Sequence, residues 1–143
     1  MPPFDHRYSP GYRSPDADIA ALKAVVLSLG GDRFQYDGVL EDQLPAACRE
    51  AILARGRRFG KGTYVPGYPP SRCHDNVFDH LAKIGFRPDF EPYIGLALAG
   101  DGIWRVHSWL VAHDSYAVDV TVPGTRAYFG VPWSDGMMGL MGG

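Results

Sequence analysis

Before Gly85, apolar residues recur with helical spacing in three stretches of the chain. Ile19, Leu22, Val25, Val26 and Leu29 fall on one stripe. Ser14-Pro15-Asp16 precedes it, supplying a hydroxyl cap, a proline for the first helical position and an acid for the first turn, and Gly30-Gly31 closes it. A second helix is predicted over 45–55 and stopped by Gly56; Leu44, Ala47, Cys48, Ala51 and Ile52 share its apolar face, which turns Cys48 inward. A third is predicted over 71–84, with Val77, Leu81 and Ile84 as its buried stripe and Gly85 as terminator. Beyond it the period becomes two. Segments 90–99, 103–112 and 115–122 read as strands of an antiparallel meander, separated by Gly100-Asp101-Gly102 and His113-Asp114, and 127–131 is a candidate fourth strand. Between the second and third helices, Gly60, Gly62, Pro66, Gly67, Pro69 and Pro70 predict a loop over 57–70. Helices followed by a meander predict an α+β fold.

Composition narrows the class. The 143 residues suit one domain over 1–143, with an irregular arm over 1–15 and a Gly/Met-rich flexible tail over 136–143. Eighteen glycines and 12 prolines favour short elements and long loops over a helical bundle. A net charge of −2 leaves no global basic field, so nucleic acid is not an expected partner. No apolar run approaches membrane-spanning length, so no membrane role is expected. The start Met1-Pro2-Pro3-Phe4-Asp5-His6-Arg7 has neither an apolar signal core nor a glycine for myristoylation. Two cysteines make no disulfide framework, so a reduced, cytoplasmic protein is the expectation.

The two thiols differ in surroundings. Cys73 falls in the first turn of the third helix, where unpaired N–H groups and the positive end of the helix dipole favour a thiolate. Arg72 and His74 flank it, and no acid occurs between Arg55 and His74. Cys48 sits mid-helix on an apolar stripe with nothing to ionise it. In the strand over 103–112, Arg105, His107 and Trp109 share one face, and Val106, Ser108 and Leu110 the other. In the next strand Tyr116, Val118 and Val120 oppose Ala117, Asp119 and Thr121. Matching aliphatic faces sets Val106 against Val120 and Leu110 against Tyr116, which puts His107 directly across from Asp119. Opposed Cβ atoms stand ~4.5–5.5 Å apart, within reach of an imidazole–carboxylate hydrogen bond. This parity requires an odd loop, such as Ala112-His113-Asp114. Nucleophile, base and orienting acid are then all present.

A cysteine at a helix start, a strand bearing His107-Ser108-Trp109 and then Val118-Asp119-Val120-Thr121 resemble the papain-like superfamily in its transglutaminase-like branch. There a motif of the form H-[AS]-W is followed by D-x-T. The Cys–His–Asp order and spacing are similar to those of lasso-peptide leader proteases and arylamine N-acetyltransferases. The resemblance covers about 71–130. It implies a papain-like fold with the nucleophile helix packed on the meander, Cys73 as nucleophile, His107 as general base and acid, and Asp119 as orienter. His74 stands where transglutaminases usually place tryptophan, and Pro70-Ser71-Arg72 where the acetyltransferases carry Arg-Gly-Gly, so the substrate class stays open.

The expected chemistry is that of a hydrolase or acyl/amide transferase, of protease, amidase or deamidase type. It acts on a peptide, protein or small acyl or amide substrate without a cofactor. Its oxyanion hole would use the Cys73 N–H with Tyr64, Tyr68 or Asn76. Trp109 reads as a core or site-wall aromatic, and Thr121 as an ordinary strand residue. Zinc is not expected: Cys73 and His80 lie ~10.5 Å apart along one helix, and no C-x-x-C or H-x-x-x-H occurs. Gly60-Lys61-Gly62-Thr63 lacks the Walker spacing and a following helix. Arg55, Arg57, Arg58 and Lys61 read as a solvated face. The runner-up function is a non-catalytic binding module on the same fold, with the 57–70 loop and the arm recognising a macromolecular or anionic partner.

Overall fold

Two long alternating strands joined by a glycine turn form the middle of the sheet, and the remaining strands are added outward from their edges. The computed structural model describes residues 15–35 and 44–136. Helix α1 (Pro15–Leu29), β1 (Arg33–Phe34), α2 (Ala46–Arg55), β2 (Arg57–Phe59), β3 (Thr63–Tyr64), α3 (Cys73–Lys83), β4 (Phe90–Leu98), β5 (Ile103–Ala112), β6 (Tyr116–Asp119), β7 (Ala127–Pro132) and α4 (Trp133–Gly136) follow in order. The fold is α+β, with a mixed sheet in the order β2-β7-β4-β5-β6-β3 and β1 added on β5. The β4-β5-β6 meander is antiparallel, as the alternation predicts. β7 does not continue it but crosses back to the other edge of β4. β1 and β3 pair in parallel with β5 and β6.

Both faces of the central strands are buried. Ile94, Leu96, Leu98, Trp104, Leu110 and Val118 pack with Leu22 and Val26 of α1, Cys48 and Ile52 of α2, and Val77 and Leu81 of α3. The opposite face carries an aromatic cluster of Phe59, Tyr93, Trp109 and Tyr128. Where β4 and β7 cross it, Gly95 pairs with Gly130. A Cβ on Gly130 would lie 2.7 Å from Trp109 Cη2 and collide with the Ile94 carbonyl, so the bare backbone is what admits the indole. Gly130→Ala is therefore expected to cost about 1–3 kcal/mol through overpacking. The check is a lower denaturant midpoint at unchanged m-value; an unmoved midpoint would contradict the account.

Several elements differ from the sequence expectation. The 57–70 stretch holds β2 and β3, because each finds an open sheet edge, on β7 and on β6, whose hydrogen bonds outweigh the local glycines. The third strand of the meander ends at Asp119 because Asp119 Oδ1 accepts the N–H groups of Thr121 and Val122, both at 2.9 Å, and turns the chain out of the ladder. α3 begins at Cys73 with Arg72 as its N-cap, since Ser71 adopts a left-handed backbone (φ 62°) and makes no cap. In α2, Ala47 faces solvent and Arg49 is buried instead. Its guanidinium joins the buried Asp18 of α1 at 3.3 Å and the Leu44 carbonyl at 2.7 Å, so the helix turns that position inward. Trp133–Gly136 is a short helix, so Gly136 closes an element rather than opening the expected tail. The arm up to residue 14 and the tail beyond Gly136 lie outside the described residues. Among the described residues no helix is long and apolar enough to cross a membrane.

Candidate active site

The β5–β6 ladder pairs Leu110 with Val118, Val111 with Ala117 and Ala112 with Tyr116. The loop is odd, His113-Asp114-Ser115, so the parity holds, but the register is displaced by two residues from the one expected. The displacement sets Val118 rather than Tyr116 against Leu110 and leaves Tyr116 exposed at the hairpin end. His107 and Asp119 share a face but meet diagonally rather than straight across. Their Nε2 and Oδ2 atoms lie 2.8 Å apart, both side chains nearly inaccessible.

Asp119 gathers donors from all round. Oδ1 takes the two backbone N–H groups of its own turn; Oδ2 takes His107 Nε2, the Tyr128 hydroxyl at 2.9 Å and the Thr125 hydroxyl at 3.4 Å. Burial pushes this carboxyl up, but the hydrogen bond and charge of His107 and then the backbone donors hold it below its ordinary value. The Tyr128 phenol is raised, by burial and by the Asp119 charge, and so stays a donor. Trp109 and Tyr128 lie nearly parallel to the imidazole, with centroids at 6.3 and 6.4 Å, and restrict its tilt.

With Nε2 committed to Asp119, Nδ1 is the nitrogen left for Cys73. Burial works against an imidazolium, yet hydrogen bonds to Asp119 and then to Cys73 raise His107 to about 9. For Cys73, burial favours the thiol, and hydrogen bonds from His107 and then His74 overcome it, bringing the group down to about 5. The helix start adds its unpaired N–H groups. At neutral pH this is a thiolate–imidazolium pair resting on a buried carboxylate. Cys48, wholly buried among apolar side chains, is pushed up to about 12 by desolvation. His74 Nδ1 lies 4.0 Å from the Cys73 sulfur and 2.5 Å from Ser108 Oγ, and that hydroxyl oxygen accepts from Trp133 Nε1 at 3.3 Å.

Of the expected site residues, Cys73, His107 and Asp119 are brought together. The candidate oxyanion donors are not. Asn76 spends both amide hydrogens, on the Pro69 carbonyl at 2.7 Å and on Thr121 Oγ1 at 3.0 Å, and so clamps rather than serves the site. The Tyr68 hydroxyl bonds His80 Nδ1 at 2.8 Å. Tyr64 stands exposed on β3, its backbone paired beside Asp119. Trp109 is a buried wall behind the imidazole, and its indole N–H finds no acceptor among the described residues. Thr121 is not ordinary strand: it ties the Asp119 turn to α3. Sequence reasoning missed Tyr128 and Ser108. Alternation over 127–131 does set Tyr128 apart from Ala127, Phe129 and Val131, but only the pairing of β7 with β4 carries it over His107.

Cys73 and His107 open on a cleft of about 380 Å³, walled also by Ser71, Ala97, Arg105, Val106, Thr121 and Thr125. Arg105 is held there by Asp101 at 2.8 Å. Among the described residues, no three His, Cys, Asp or Glu side chains are grouped as a metal site would need. Compared with protein-family models, curated proteins and solved structures, the chain matches none.

Proposed function

We propose that this protein is a thiol-dependent acyl-group enzyme, a hydrolase or acyl/amide transferase working through a Cys73–His107–Asp119 triad on a papain-like, transglutaminase-like scaffold. The observation that carries the reading is that half-buried Cys73 and His107 line one cleft, with His107 bonded at 2.8 Å to the buried Asp119 and the thiol brought down to about 5. Cys48, on the same chain but packed in the apolar core, is pushed the other way by burial. In the proposed reaction the Cys73 thiolate attacks the carbonyl carbon of an amide, ester or thioester, forming an S–C bond and a tetrahedral oxyanion. Collapse expels the amine, alcohol or thiol, which takes its proton from His107 Nδ1. Water or an amine then gives a proton to His107 as it attacks the acyl-thioester, and the thiolate returns. Asp119 keeps Nε2 protonated and the ring aimed. The cleft is in the volume range that encloses one small ligand, which suits a short acyl group or one side chain of a peptide.

The test is intact-mass capture. A panel of activated acyl esters and amides should add one acyl mass at Cys73, and Cys73→Ser should add none. No adduct from any probe would overturn the reading. Acylation should also depend on pH as a bell. It rises as pH passes about 5, where the thiol ionises, and falls past about 9, where the imidazolium that protonates the leaving group is lost. These limbs belong to the coupled pair rather than to either residue alone. A single rise near the ordinary thiol range of ~8.5 would contradict the ion pair.

A further inference from the structure

Attack on a carbonyl leaves an oxyanion that needs two aimed donors. The Cys73 backbone N–H is one, being at the first position of α3 with no intrahelical acceptor. The second is absent among the residues read from the sequence, since Asn76 and Tyr68 are committed and Tyr64 stands exposed outside the cleft lining. Of the cleft's own donors, Thr125 gives its hydrogen to Asp119, and Arg105 is forked onto Asp101 and Gln35. Ser71 lies exposed on left-handed backbone ahead of the helix.

Thr121 is different. The atom of Asn76 that meets the Pro69 carbonyl must be Nδ2, because a carbonyl only accepts. The same nitrogen meets Thr121 Oγ1, so the threonine hydroxyl is an acceptor there and keeps its own hydrogen. No acceptor for that hydrogen exists among the described residues, although the side chain is only 8% exposed and lines the cleft beside Cys73 and His107. Asn76 lies one turn after Cys73, on the same side of α3, which fixes the hydroxyl near the helix start. The Thr121 backbone is fixed in turn by Asp119 Oδ1. We infer that the Thr121 hydroxyl is the second oxyanion donor, facing the acyl oxygen together with the Cys73 N–H. Held by the nucleophile helix on one side and the carboxylate turn on the other, it needs no reorganisation as charge develops.

This inference rests on the acyl-transfer reading, and its test separates the two. Acylation of Cys73 by p-nitrophenyl acetate builds an oxyanion; alkylation by iodoacetamide at carbon does not. Thr121→Val should slow acylation about 10²-fold while leaving the alkylation rate and its pH midpoint unchanged. Thr121→Ser, which restores the hydroxyl, should recover most of the loss. Asn76→Ala, which removes only the clamp, should lose less than Thr121→Val. Should T121V fail to fold, T121A carries the same comparison. Acylation at the wild-type rate in the folded variant overturns the role of Thr121 alone, as does a parallel fall in acylation and alkylation, which would mark a merely structural residue. A wild-type protein that alkylates at Cys73 but is never acylated overturns the acyl-transfer reading itself.

Discussion

His107→Ala is expected to move the pH midpoint of Cys73 alkylation from about 5 back toward the ordinary thiol range, and to slow acylation at neutral pH by ~10²–10⁴-fold. The imidazole is the largest influence favouring the thiolate, and burial of the sulfur opposes it; without the ring, desolvation acts nearly alone. His74 still offers a weaker contact at 4.0 Å, so the return falls short of a fully desolvated thiol. Cys48 is the internal control. At pH 7 a group at about 5 is essentially all thiolate and one at about 12 almost none. The lower intrinsic nucleophilicity of the more acidic thiol gives back roughly three decades of that five-decade advantage. Cys73 should therefore label at least ~10²-fold faster than Cys48 in the wild-type protein, and the complete burial of Cys48 widens the margin. A midpoint that stays near 5 in H107A would remove His107 from the site. Equal, slow labelling of both wild-type thiols would favour a binding module instead.

Asp119→Ala should be the most destabilising single change at the site, by about 3–5 kcal/mol. It strands the His107 imidazolium in a buried position and leaves the Tyr128 hydroxyl and the N–H groups of Thr121 and Val122 without their acceptor. For a chain of this size that corresponds to a melting temperature lower by about 10–17 °C. The pH dependence has a definite sign. Asp119 is held below its ordinary value, so its contribution is complete above the unfolded carboxyl pKa of ~3.9 and disappears as pH falls through the lower folded value. The gap between wild type and variant should thus be full at neutral pH and close in acid. Differential scanning calorimetry across that range measures it. A variant melting with the wild type at pH 7 would show the carboxylate dispensable to the fold.

Much of this was legible in the chain because it depends on short-range periods. A 3.6-residue stripe marks a helix and alternation marks a strand, so the three main helices and the β4-β5-β6 meander could be located before any packing was known. The contrast between Cys73 at a helix start and Cys48 on an apolar stripe is likewise local. The shared face of His107 and Asp119 follows from parity alone, since an odd hairpin loop preserves it.

What parity leaves open is register. The observed two-residue displacement was decided by where Tyr116 can remain in solvent while Val118 fills the core. The edge strands β2 and β3 exist because distant strands offer them free edges, which their glycines do not announce. Tyr128 reaches Asp119 only because β7 crosses to β4, and Thr121 meets Asn76 only once α3 lies against the Asp119 turn. By itself, then, the sequence determined the three main helices, the meander strands, the contrast between the surroundings of the two thiols and the faces on which the histidine and aspartate lie, since backbone geometry repeats over a few residues. Tertiary structure alone decided the register, the edge pairing and the donors around the carboxylate, since those contacts join residues far apart in the chain and form only where the whole core packs.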